Sequence, residues 1–132
     1  KSLLQEKPAL FRGNTYLLVD NKTSSAAEDF IAKTFLVDED KVFIVGENTS
    51  GTLDFYDTYD YELPNTKVKL TLCAESLKDT GLLSKNPKWH GDTKGFYPDY
   101  WATNETILDT LVYLTKDEEL RTVLADLDKG IQ

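Results

Sequence analysis

The sequence predicts an α/β (mixed α+β) domain in which a βαβ unit is followed by an aromatic hairpin and C-terminal helices. Two short apolar segments, residues 15–20 and 41–47, enclose a segment with helical spacing. A strand, a helix and a strand joined this tightly form a βαβ unit, whose strands pair in parallel. The aromatic segment that follows alternates loosely, which adds a hairpin and makes the sheet mixed.

Each part of the βαβ unit has its own signal. Residues 15–20 (TYLLVD) are apolar between polar ends, which is typical of a strand buried on both faces. In residues 24–40, Glu28 and Asp29 occupy the first helical turn, where the helix dipole favours them. The helical spacing of this segment is carried by Ala26, Ala27, Phe30, Ile31 and Phe35. The second strand, KVFIVGE, is closed by a glycine before the turn NTSGT.

The hairpin has strands at residues 53–63 and 67–75. One face of its second strand carries Val68, Leu70 and Leu72. Its aromatic run, DFYDTYDY, is predicted to be a packing face, with a groove for apolar peptide ends or sugars as the alternative. Cys73 lies at an apolar position of the strand and is predicted to be a buried structural thiol.

The last third of the chain is irregular and then helical. Residues 76–104 hold three Gly and two Pro, and a long irregular segment inside a domain is often functional. Residues 104–130 are predicted to form two amphipathic terminal helices, with Asn104 as the N-cap of the first and Gly130 ending the second.

The composition is typical of a soluble chain of one domain, residues 1–132, with an irregular lead-in over residues 1–12. The formal net charge of −8 argues against nucleic acid and against an anionic membrane surface as partners, because both need clustered Lys and Arg. No apolar run approaches the ~18 residues of a membrane-spanning helix. No cofactor and no metal site is predicted, and the oligomeric state stays open.

The residues TSSAAEDF, at 23–30, place serines at a strand-to-helix junction. On local pattern alone Thr23 or Ser24 caps the helix, and Glu28 closes a capping box. The position also suits a nucleophile, because the free N–H groups and positive dipole of a helix start stabilise an oxyanion. This is the arrangement of serine hydrolases without their Gly-x-Ser-x-Gly signature.

Four blocks occur in one order along the chain: FRGNTYLLVDNKTSSAAEDF, KVFIVGENTSGT, ELPNTKVKLTL and GFYPDYWATNETILDTLVYL. In order and approximate spacing they resemble the C-terminal processing peptidases, or tail-specific proteases, which are related to the tricorn core protease. The resemblance runs from Phe11 to Leu114. It implies the C-terminal portion of a ClpP/crotonase-like catalytic core, and for bacterial members mostly a periplasmic or other extracytoplasmic location.

The resemblance also implies a serine-type endopeptidase that hydrolyses protein or peptide substrates through an acyl-enzyme. Ser25 corresponds to the nucleophile, and the N–H of Ala26 to one donor of the oxyanion hole. Thr52 stands where the tail-specific branch has the lysine of its Ser-Lys dyad. A threonine hydroxyl cannot act as that base.

The tricorn-like branch uses a serine, a histidine and an acid instead. Asp92 lies about where that acid does, whereas the family's histidine and second oxyanion donor come from a preceding part of the core that has no counterpart here. His90 is an alternative base, although a structural or exposed loop histidine is the simpler interpretation. The isolated chain is therefore expected to be inactive. The competing hypothesis is a non-catalytic peptide- or ligand-binding module on the same fold.

Overall fold

A computed structural model describes residues 13–76 and 82–124 of the chain. The elements in order are β1 (Thr15–Val19), α1 (Ala26–Phe35), β2 (Val42–Gly46), β3 (Phe55–Glu62), β4 (Lys69–Ser76), β5 (Tyr100–Trp101) and α2 (Ile107–Thr115), with a short 3₁₀ turn at Glu39–Lys41 before β2. The predicted lead-in over residues 1–12 and the predicted helix end at Gly130 lie outside the described residues.

The predicted βαβ unit is confirmed. β1 and β2 pair in parallel, in register from Thr15 opposite Val42 to Val19 opposite Gly46, and α1 connects them. β5 pairs in parallel with the other side of β2, which gives the order β1-β2-β5. β5 was not predicted, because two residues are too few to show the alternation of a strand. The mixture of helices and strands is also confirmed, whereas the prediction that the hairpin makes the sheet mixed is wrong, because β3 and β4 form a two-stranded sheet of their own.

The main hydrophobic core lies between this sheet and α1. Its buried members are Val19, Ile31, Ala32, Phe35, Val42, Ile44, Leu53, Leu83 and Phe96. Successive strand residues face opposite sides, so buried Val45 points away from Ile44, together with its register partner Leu18. Leu18 lines one cavity with Ile107 of α2 and another with Ala27 and Phe30 of α1. Leu111 and Val112 of α2 are buried but lie outside the core cluster beside α1.

Two predictions of burial are wrong at the free side of β1. Within the described residues β1 is an edge strand, and Leu18 is 49% exposed, so this strand is not buried on both faces. Phe30 was expected on the buried stripe of the helix but is 62% exposed. The buried stripe consists of Glu28, Ile31, Ala32 and Phe35. These positions recur at the helical period, and the stripe therefore includes a carboxylate.

The predicted hairpin is confirmed, because β3 and β4 pair antiparallel from Phe55 opposite Ser76 to Glu62 opposite Lys69. The prediction that its aromatic face is packed is wrong, since Tyr59 is 50% exposed and its neighbour Leu72 is also exposed. Cys73 is exposed rather than buried, because it lies opposite Thr58 on the polar face of the pair.

The first predicted terminal helix is confirmed as α2, although its N-cap is Thr106 and not Asn104. The Thr106 hydroxyl accepts a hydrogen bond from the Thr103 N–H at 3.0 Å, which closes a turn before the helix begins. Helical backbone also runs through residues 120–124, where the described part of the chain ends. Among the described residues, no helix is long and apolar enough to cross a membrane.

We expect Gly46→Ala to destabilise the sheet much more than Gly91→Ala. Both glycines have a positive φ, +134° and +100°. A Cβ at Gly46 would lie 1.9 Å from the carbonyl oxygen of Val19, whereas a Cβ at Gly91 would meet no atom within 4 Å. The difference in free energy of unfolding between the two variants should be about 2 kcal/mol or more, measured by urea denaturation. Equal values would show that β1 can move away at little cost.

Candidate active site

The site begins at the turn that follows β1. The carboxylate of Asp20 accepts hydrogen bonds from the N–H groups of Lys22 and Thr23, each at 3.0 Å, and from the Thr23 hydroxyl at 3.1 Å. Partial burial acts to raise the pKa of Asp20, but these hydrogen bonds outweigh it and hold the pKa below its usual value. This turn fixes the direction in which the chain enters α1.

Ser25 lies between that turn and α1, in a strained backbone conformation. Its φ is 51° and its ψ is −113°, a combination that residues other than glycine avoid. Backbone strain of this kind costs about 1–3 kcal/mol and clusters at functional sites, where the surroundings hold it in place. Strand-to-helix turns with a strained, exposed serine are also how hydrolases present a nucleophile. Ser25 is exposed, so its side chain can be reached from solvent.

The carboxylate of Glu28 holds this conformation in place. Glu28 is fully buried, and its Oε2 accepts the Ser25 N–H at 3.0 Å in a capping box. The same oxygen accepts the Thr52 N–H at 2.8 Å, and Oε1 accepts the Gly51 N–H at 2.8 Å and the Thr49 hydroxyl at 2.5 Å. A buried charge persists only when hydrogen bonds replace its water. Glu28 therefore joins α1 to the loop after β2.

That loop is fixed on its other side by the turn at residues 91–95. The Thr49 hydroxyl accepts the Phe96 N–H at 2.8 Å, and the Thr93 N–H donates to the carbonyl oxygen of Gly51 at 2.7 Å. A Cβ at Gly95 would lie 2.4 Å from the carbonyl oxygen of Thr49, so the two backbones are in direct contact. The loop is thus held between α1 and this turn.

Thr52 lies directly beside Ser25. Its hydroxyl oxygen accepts the Ser25 N–H at 3.0 Å, and the same hydroxyl lies 3.2 Å from Oε2 of Glu28. The structure therefore brings together Ser25 and the position that the resemblance assigns to a dyad lysine. The N–H of Ala26, the other residue of interest here, has no acceptor within the described part of the chain. Both Thr52 and Ala26 are exposed.

A groove of about 530 Å³ runs from Ser25 along α1 to the start of β3. Ala26 and Leu53 give it apolar walls beside the serine, and Phe55 lies farther along it. Asp29 and Lys33 line the helix side and pair with each other at 2.5 Å. The serine thus stands at the end of an open, largely apolar groove.

The remaining predicted residues lie on the turn at 91–95. Asp92 is exposed, and the N–H of its neighbour Thr93 contacts Gly51, one residue from Thr52. Within the described ranges, no hydrogen bond joins Asp92 to Ser25 or to His90. His90 is exposed and its ring stacks on Tyr97, with centroids 3.9 Å apart. The turn of Asp92 therefore adjoins the serine loop, whereas the imidazole faces another aromatic ring.

Sequence reasoning identified Glu28 only as a capping residue and missed Thr49. A capping box closed by Glu28 is a local signal and was predicted. The predicted cap, Thr23 or Ser24, is wrong, because the N-cap is Ser25, three positions before Glu28. The bonds of Glu28 to Thr49, Gly51 and Thr52 join residues more than twenty positions apart, which no local pattern predicts. The only sequence signal is the density of small polar residues and Gly in NTSGT.

Comparison with known proteins adds no relative to this description. No family model matches the chain, and no curated protein matches it.

We expect Glu28→Gln to lower the free energy of unfolding by about 3 kcal/mol. Both carboxylate oxygens of Glu28 now accept hydrogen bonds, and the glutamine NH₂ that replaces one of them would face N–H or O–H donors and leave them unpaired. Amide hydrogen exchange should also accelerate at the residues whose N–H groups lose their acceptor. These are Ser25 and Thr52 if the NH₂ replaces Oε2, or Gly51 if it replaces Oε1. Urea denaturation and amide exchange measure the two effects.

The matched control is Glu105→Gln, because Glu105 is exposed near α2 and the change should stay within about 0.5 kcal/mol of the unaltered chain. Unchanged exchange at Ser25 and Thr52 in the Glu28→Gln chain would contradict the assigned role.

We expect Asp20→Asn to be less stable than the unaltered chain near neutral pH, with a gap that closes in acid. Because folding lowers the pKa of Asp20, the ionised carboxylate stabilises the fold above its unfolded-state pKa of about 4, and this contribution is lost as the pH falls through the lowered value. The group is mostly solvated, so the gap should not exceed about 1 kcal/mol. Urea denaturation between pH 6 and pH 2.5 tests this, and a gap independent of pH would contradict it.

Proposed function

We propose that this chain is the C-terminal part of a serine-type endopeptidase core of the ClpP/crotonase-like type, which hydrolyses protein or peptide substrates through an acyl-enzyme on Ser25. The observation that carries the proposal is the strained, exposed conformation of Ser25 at the start of α1. A capping serine needs no positive φ, because Ncap residues ordinarily have extended backbone. The strain is therefore explained better by presentation of a nucleophile than by capping.

The environment of the serine supports the same chemistry. In the proposed reaction the Ser25 oxygen attacks the scissile carbonyl, and the developing oxyanion accepts a hydrogen bond from the N–H of Ala26. That N–H has no acceptor in the described part of the chain and lies in the first, positive turn of α1. The groove beside Ser25 has room for an apolar substrate side chain.

The base is the part of the mechanism that the described residues around Ser25 do not supply. The group beside the serine is the hydroxyl of Thr52, which cannot accept its proton at neutral pH. We propose a histidine outside these 132 residues as the base, oriented by Asp92 from the adjoining turn. The same proposal includes an extracytoplasmic site of action and an isolated chain that is inactive.

A second candidate is a non-catalytic peptide-binding module on the same fold. The observation that favours it is Thr52, since a module that only binds has no need of a base beside Ser25. In that case the groove of Ser25 would bind an apolar side chain and hold it without cleavage.

The test is labelling with a fluorophosphonate, which phosphonylates an activated serine. The unaltered chain should label no faster than its Ser25→Ala variant, because the base is missing. Thr52→Lys places an amine next to Ser25 and should accelerate labelling about 100-fold, a typical contribution of a positioned base. Mass spectrometry of the labelled peptide should locate the adduct on Ser25.

Ser24→Ala in the Thr52→Lys chain is the matched control, because it removes the neighbouring hydroxyl and should leave labelling intact. Ser25→Ala in the same chain should abolish it. Labelling that survives Ser25→Ala would reject the nucleophile assignment. A folded Thr52→Lys chain that does not label would favour the binding module. Rapid labelling of the unaltered chain would reject the proposal that the base comes from outside these 132 residues.

A further inference from the structure

The antiparallel pair of β3 and β4 has one strongly apolar face that no described residue covers. Its alternation places the aromatic residues of β3 next to the aliphatic residues of β4, with Tyr59 opposite Leu72 and Tyr61 opposite Leu70. We call this surface the ribbon face; its members and their exposed fractions are Tyr59 50%, Tyr61 47%, Val68 50%, Leu70 39% and Leu72 38%.

The ribbon face is continuous with the groove of Ser25. Phe55 and Asp57 precede Tyr59 along β3 and both line that groove, as does Thr58. The φ of 51° at Asp57 interrupts the alternation of the strand there, so residues of both faces reach the groove. Leu53, two residues before Phe55, is buried and also lines it. Apolar surface interrupted by Asp57 therefore leads from the ribbon face to the groove of the serine, and a chain lying along it would pass the nucleophile.

The exposed area of the ribbon face favours a short peptide over a second copy of the chain as its occupant. Tyrosines expose about half of a surface on the order of 200 Å² each, so the five side chains together offer roughly 400 Å², the size of a functional patch. A stable homodimer needs roughly 800 Å² from each copy. A short extended peptide fits this area, because its alternate side chains fall about 6.8 Å apart on one side, as on the strands beneath it.

The negative charge of the β3–β4 pair favours an occupant with a cationic side chain. Residues 55–76 contain four acidic and two basic side chains. The carboxylate of Asp57 lies between the ribbon face and the serine, and within the described ranges it pairs with no Lys or Arg. A cationic side chain at this point of a bound peptide would therefore find an anionic partner beside apolar surface.

We propose that the ribbon face is a docking surface for extended polypeptide segments with apolar side chains at alternate positions and a Lys or Arg that faces Asp57. This inference rests on the proposed function, because it makes the docked segment the substrate that reaches Ser25. It assigns a substrate class to the groove: unfolded, apolar and basic segments of proteins. The binding itself needs no catalysis and can be measured separately.

The experiment uses a fluorescein-labelled twelve-residue peptide with Leu and Phe alternating with Ser and one central Lys, and follows its fluorescence anisotropy with the 132-residue chain. Tyr59→Ser combined with Leu72→Ser should weaken binding about tenfold, because it removes two adjacent apolar contacts. Asp57→Asn should weaken it a few-fold and reduce its dependence on salt. A peptide with Glu in place of Lys should bind less tightly than the original to the unaltered chain.

Two variants serve as controls. Tyr113→Ser alters an even more exposed tyrosine on α2, away from the ribbon, and should leave binding unchanged. Tyr59→Phe keeps the apolar ring and should retain most of the binding. Circular dichroism checks that each variant is folded.

Several results would overturn the proposal. One is the absence of binding to the unaltered chain, and another is binding that Tyr59→Ser with Leu72→Ser does not change. A third is a dimer in sedimentation that these substitutions dissociate, because it would assign the face to a second copy of the chain. Peptide binding that depends on the ribbon face, without any labelling of Ser25 in the folded Thr52→Lys chain, would uphold the docking surface and favour the binding module over the peptidase. Labelling of Ser25 without such binding would reject the docking surface alone.

Discussion

The buried carboxylate of Glu28 is the interaction on which the rest of this structure depends. It accepts hydrogen bonds from Ser25 at the start of α1 and from Gly51 and Thr52 in the loop after β2, at distances of 2.8–3.0 Å. Removing a carboxylate from water is costly, so these donors must stay in place for as long as the protein is folded. The helix start, the loop and the strained serine therefore form one unit, and none of them can relax without exposing the charge.

This unit explains how a strained residue persists. A backbone with φ of 51° and ψ of −113° would relax if its N–H were free to turn, but the Ser25 N–H is held by Glu28 and by the hydroxyl of Thr52 together. The loop is held in turn by the contact of Gly51 with Thr93. The strain is thus offset by bonds to three separate segments, which is the usual condition for stored strain at a functional site.

The functional interpretation separates into chemistry and recognition. The chemistry proposed for Ser25 depends on its backbone, on the N–H of Ala26 and on a base from elsewhere. The recognition proposed for the ribbon depends on exposed apolar surface that folding of the described residues leaves uncovered. The two meet at Phe55 and Asp57, which belong both to the ribbon and to the groove beside the serine. A segment docked on the ribbon would already be oriented toward Ser25, which lowers the entropy cost of the attack.

The sequence by itself determined the local elements: β1, α1, β2 and the hairpin follow from apolar periodicity, and Glu28 was predicted to close a capping box, although its partner is Ser25 and not Thr23 or Ser24. These predictions succeeded because the signals are local. The sequence did not determine that Phe30, Leu18 and Cys73 would be exposed, since burial depends on which surfaces the other elements cover. Only the tertiary structure joined Glu28 to Thr49, Gly51 and Thr52 and brought Thr52 beside Ser25, because hydrogen bonds across more than twenty residues are set by the packing of the chain and leave no periodic pattern in it.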